Sequence, residues 1–104
     1  MAVSTQTLTK IQSLARLYQT GYQSSTIDVT IDKLISMERV RLAAQADSLA
    51  EKLRLFEEKS CLSSEEFYRL FRAGELGDDA DLFEWSAFYQ MWLSARSRLD
   101  ALPS

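Results

Sequence analysis

Residues 25–59 contain neither glycine nor proline, and so long a run without a helix breaker constrains the fold more than any other feature of this chain. One helix of about 35 residues, some 50 Å at 1.5 Å per residue, is the simplest structure it can adopt. Ser24 or Ser25 caps its start. Its apolar positions run Ile27, Ile31, Leu34 and Ile35, then Leu42, Ala46, Leu49, Leu53 and Phe56, the later set spaced four, three, four, three. That seam is heptad-like, and "ERVRLAAQADSLAEKLRLFEEK" gives it mixed-charge flanks. Such a helix exceeds what a compact monomer of 104 residues can cover, so the seam continues against a partner chain, packs against the chain's own later helices, or does both.

Around it the periodicity predicts three more helices. In "TLTKIQSLARLYQTGY" Leu8, Ile11, Leu14, Ala15 and Tyr18 recur at spacings of three and four, and Gly21 stops the helix, giving a first element near 5–20. After the long helix near 25–59, Ser63 and Glu66 form a capping box opening a third helix near 64–73, with Phe67, Leu70 and Phe71 facing inward and Gly74 ending it. A fourth runs near 79–101. The fold class expected is therefore all-α, four helices with one long central helix, built as an intertwined or coiled-coil-like homodimer.

Charge and chemistry exclude most functions. There is no histidine, which removes the commonest general base, metal ligand and pH switch together. Cys61, the one cysteine, has no histidine to activate it and no partner for an internal disulfide. It reads as a small buried thiol before a helix, in a protein of the reducing cytoplasm. No phosphate loop, dinucleotide fingerprint or serine elbow is present, and no stretch reaches the apolar length of a membrane span. No enzyme activity, cofactor or metal is expected. The basic residues offer no cluster suited to strong nucleic-acid binding. The net charge of −3 is uneven: residues 1–52 carry six Lys/Arg against five Asp/Glu, and 53–104 carry six against ten.

The acidity concentrates in "GELGDDADLFEW", Gly74 to Trp85, which holds two glycines, five carboxylates and two aromatic rings. Gly74 and Gly77 permit positive φ and so set a turn. Asp78, Asp79 and Asp81 sit where carboxylates complement the positive end of the fourth helix, with Asp78 or Asp79 as its cap. Asp78, Asp79, Asp81 and Glu84 lack the spacing of a calcium loop. Of the eleven aromatic residues, nine fall between Phe56 and Trp92. Leu82, Trp85, Tyr89 and Trp92 form one stripe of the fourth helix, whereas Phe83 and Phe88 lie off it, so that helix needs more than one surface to bury against. An acidic, aromatic end of this kind is suited to a macromolecular partner, and the candidate partner-binding residues are Glu75, Asp78, Asp79, Asp81, Phe83, Glu84 and Phe88.

Two resemblances add to this. "LARLYQTGYQSSTIDVTIDKLI", Leu14 to Ile35, resembles the two helices of ribbon-helix-helix transcription regulators, and the resemblance implies a dimer and contact with operator DNA through a strand preceding the first helix. Only "MAVSTQT" precedes it here, so that strand is very short, with Ser4, Gln6 and Lys10 nearest DNA, or missing. "FYRLFRAGELGDDADLFEWSAFYQMW", Phe67 to Trp92, is similar to small prokaryotic proteins in the antitoxin position of toxin-antitoxin pairs, which implies a toxin protein as partner. The expectation is one domain, with residues 1–42 as the dimerisation or ribbon-helix-helix-like part and 43–104 as the long helix and partner-binding part. The function expected is a non-enzymatic protein-binding module, antitoxin-like, neutralising a small basic toxin. A DNA-binding regulator and a structural helical scaffold are the alternatives.

Overall fold

A computed structural model describes residues 2–103, with side chains from residue 5 onward. Four α-helices account for nearly all of it: α1 (Ala2–Gln19), α2 (Ser25–Ser60), α3 (Ser64–Arg72) and α4 (Ala80–Asp100). No strand occurs among the described residues. The chain divides into two compact units, one reaching to Leu34 and the other starting at Ile35, so α2 contributes residues to each.

In the first unit α1 ends where the periodicity places the stop. Thr20 and Gly21 N–H donate to the Leu17 and Tyr18 carbonyls, and Gly21 takes φ +93°. Ser24 supplies the cap of α2, its Oγ accepting from Ile27 N–H at 3.3 Å. Tyr18 ties the turn together, donating to Asp28 Oδ1 at 2.6 Å while its oxygen accepts from Ser24 N–H at 3.1 Å. The Asp28 bond is the main reason that the Tyr18 hydroxyl is held above the ordinary tyrosine pKa.

The second unit is a three-helix arrangement with an aromatic core. Arg39, early in the α2 part, donates to the Leu102 and Pro103 carbonyls at 3.2 Å, and Lys59 near its end lies 3.8 Å from Asp81 at the start of α4. The two helices therefore run antiparallel, with α3 across the end where Glu57 accepts from Ser64 N–H at 2.8 Å. Ser63 caps α3 by accepting from Glu66 N–H at 3.1 Å. At its other end Gly74 N–H bonds the Phe71 carbonyl and Glu75 N–H the Leu70 carbonyl, both at 3.1 Å, with Gly74 at φ +75°. That pair of bonds is a Schellman stop.

The core is Leu53, Phe67, Trp85 and Tyr89, all buried, with Phe56, Phe71, Leu82 and Trp92 packed on it. Phe67 is fully buried and lies 3.8 Å, centroid to centroid, from Trp85 at an interplanar angle of 3°. Phe56 lies parallel to the same indole at 5.6 Å. Each buried ring contributes area and pair geometry, so this cluster dominates the stability of the unit. The stripe of Leu82, Trp85, Tyr89 and Trp92 thus packs as its spacing predicts. The lower part of the α2 seam, Leu53 and Phe56, is spent on the chain's own later helices.

Two local expectations are corrected. Cys61 is exposed, with φ +54°. It occupies the left-handed position ending α2, where Leu62 N–H reaches back to the Glu57 carbonyl at 3.3 Å, so the geometry of the stop and not packing decides its place. Asp79 does stand at the N-cap of α4, at φ −60° and ψ 147°, but its side chain makes no capping hydrogen bond. The helix start is closed instead by backbone bonds from Leu82 and Phe83 to the Asp79 carbonyl at 3.0 and 3.3 Å.

Candidate partner-binding end of the second unit

The loop between α3 and α4 is held by one apolar anchor between two glycines. Gly74 at φ +75° and Gly77 at φ +86° bracket Leu76, which packs on the aromatic cluster. The backbone is thereby pinned, and the flanking acids are turned outward. Glu75, Asp78, Asp79, Asp81 and Glu84 are all exposed.

The structure sorts the seven predicted partner-binding residues into neighbouring patches. Asp81, Glu84 and Phe88 recur at spacings of three and four, which places them on one face of α4. That face meets α2: a groove of about 320 Å³ is lined by Lys52, Leu55, Phe56, Lys59, Glu84 and Phe88. Lys52 Nζ stands 5.1 Å above the Phe88 ring in a cation–π contact, and Phe88 lies 6.2 Å from Phe56. Phe83 faces the other way, toward α3, making an edge contact with Phe71 at 5.3 Å and 89° while 55% exposed. Glu75, Asp78 and Asp79 lie on the loop between these sides; the charged form of Arg69 is favoured chiefly by its hydrogen bond to Glu66, with Glu75 adding a smaller attraction.

Lys52, Leu55 and Lys59 belong to this surface and were not singled out from the sequence. Their spacing of three and four beside Phe56 was the available signal, hidden because the two lysines read as charged flanks of a heptad seam and Leu55 lies off that seam. The end is consequently not uniformly acidic. Its outer loop is acidic, whereas the groove behind Glu84 is walled by two lysines and floored by apolar carbon.

Within the helices the charges are largely locally matched. Arg54 bonds both Glu51 and Glu58, and Arg69 bonds Glu66. Hydrogen bonding from these guanidinium groups holds the Glu51 and Glu66 carboxyls below the ordinary range. The acids of the 75–84 stretch have one such ion pair, Asp81 with Lys59, both well exposed; an exposed pair of this kind contributes little to stability.

Among the described residues no three Cys, Asp or Glu side chains converge on a common metal position, and no helix is long and apolar enough to cross a membrane. For the DNA alternative, Gln6 and Lys10 are exposed on α1, and the side chain of Ser4 lies outside the described residues. The backbone is helical from Ala2 onward, so the short strand that a ribbon-helix-helix likeness would use is missing from the described residues. Side-chain bonds from Thr9 and Ser13 to carbonyls four residues back accompany that helix. No family model, curated protein or solved structure matches the chain.

Proposed function

We propose that the chain is a non-enzymatic protein-binding module, an antitoxin-like neutraliser of a small basic toxin, working in the cytoplasm as a homodimer with coiled-coil character in α2. The observation that carries this reading is the pairing of outward acids with one exposed ring, Phe83, and a half-buried one, Phe88, at one end of a unit that already has its own core. Five exposed carboxylates lie between Glu75 and Glu84, with the 55% exposed Phe83 among them and the half-buried Phe88 one helical turn beyond. An aromatic anchor within a charged rim is the composition that partner surfaces favour. The acids raise the rate of encounter with a basic protein, and the rings supply apolar contact. The resemblance of Phe67–Trp92 to antitoxin-position proteins agrees with this reading.

Co-expression with the product of the adjacent open reading frame tests it. Relief of that product's growth arrest by this chain, together with a stable complex of the two purified proteins, is the expected result. No complex and no relief, with a mobility shift of the upstream DNA by this chain alone, would replace the neutraliser with the DNA-binding regulator.

A further inference from the structure

We infer that the apolar groove between α1 and the start of α2 is filled by the same hairpin of a second copy of this chain. It rests on the homodimer reading above and names the surface that makes the dimer.

No described side chain from residue 5 to residue 34 is buried. The unit nevertheless has a regular apolar stripe: Ile11, Leu14, Ala15 and Tyr18 on α1, facing Ile27 and Ile31 of α2 across a groove of about 360 Å³. Helices in proteins draw most of their stability from packing an amphipathic face, and this pair has a face with nothing packed into it from within its own unit.

The exposed area matches what a second copy requires. Leu8, Ile11, Leu14, Ile31 and Leu34 are 38 to 57% exposed, on the order of 100 Å² each and about 500 Å² together. A standard interface buries about 800 Å² per partner, of which roughly two-thirds is apolar in homodimers. The available surface is therefore one protomer's share of such an interface.

Charge selects self-association over an unrelated partner. From residue 5 to its end α1 carries cations only, Lys10 and Arg16, while Asp28 and Asp32 of α2 stand on the groove wall. Among the described residues no ion pair joins these groups within the chain, the ion pairs all lying in the second unit. A two-fold arrangement lays α1 of one copy along the start of α2 of the other, so the cations of α1 meet the groove-wall carboxylates Asp28 and Asp32 twice. A surface carrying both halves of a complementary pattern is self-complementary, as isologous dimers require.

The test uses the full chain in sedimentation velocity, with Trp emission as a second readout. Trp85 and Trp92, the two tryptophans, both belong to the second unit, so their emission reports that unit alone. The wild type is expected at the mass of two chains at tens of micromolar. Ile11→Asp with Ile31→Asp should sediment as one chain, with a dissociation constant raised at least a hundredfold and unchanged Trp emission. A variant that stays at two chains overturns the hairpin interface while leaving the homodimer standing on another surface. A wild type that sediments as one chain overturns both. Dilution of the wild type guards against a variant that misfolds. Helicity at 222 nm should fall as the mass halves, at constant Trp emission; helicity indifferent to that mass change overturns the inference.

Discussion

The indole Nε1–H of Trp85 donates to the Ser64 hydroxyl at 2.9 Å, and both residues are buried. This bond joins the first residue of α3 to the middle of the core on α4. The Ser64 backbone N–H is taken up in turn by Glu57 of α2, so three helices meet at one serine.

Ser64→Ala leaves the Trp85 N–H buried without an acceptor, which costs about 1–3 kcal/mol. A urea titration followed by Trp emission should show that loss. Ser64→Ala combined with Trp85→Phe should cost less than the sum of the two single changes, because the second removes the donor that the first leaves stranded. Additive losses would mean the bond contributes nothing of its own.

Cys61→Gly is expected to stabilise the second unit. A non-glycine residue in the left-handed region is strained, and glycine relieves the strain at the end of α2, by up to about 1 kcal/mol. The urea midpoint should rise for Cys61→Gly and not for Cys61→Ala, which keeps the Cβ. Equal midpoints for the two would assign any change to loss of the thiol.

Alkaline pH should loosen the same core through Tyr89. Burial is the largest cause raising its hydroxyl above 10.0, with the nearby Glu65 charge and Tyr68 adding to it. The fold therefore favours the neutral phenol. That preference is fully present below the unfolded value near 10 and is lost as pH climbs through the higher folded value. Thermal midpoints read by Trp emission should fall above pH 10 in the wild type and fall less steeply in Tyr89→Phe. An identical fall in both would place the titration elsewhere.

Helix positions were legible from the sequence because their punctuation is local. Gly21, the Ser63 cap and Gly74 each act within a few residues, and the structure uses all three, while the Glu66 carboxylate of the expected box bonds Arg69 instead. The buried stripe of Trp85 and Tyr89 was legible for the same reason, being periodic. Cys61 was not, since the left-handed position it fills is ordinarily marked by glycine and a cysteine carries no such signal. Ser64 was hidden behind the cap at Ser63, because its acceptor role depends on a tryptophan 21 positions away. At the candidate site the exposure of the acids could be foreseen from composition. The lysine-walled groove behind Phe88 could not, because it requires knowing which face of α2 lies beside α4.

The central claim is that the acidic, aromatic end of the second unit captures a basic protein, and calorimetric titration tests it most directly. The wild type and Glu75→Ala with Glu84→Ala would each be titrated against the purified product of the adjacent open reading frame at low and at high salt. Both residues are exposed, and neither makes a capping bond or an ion pair among the described residues. The double variant should therefore melt within about 0.5 kcal/mol of the wild type. It should bind at least tenfold more weakly at low salt, with the gap narrowing as salt screens the rim. Binding unchanged at both salt concentrations, or no binding by the wild type, would contradict the account.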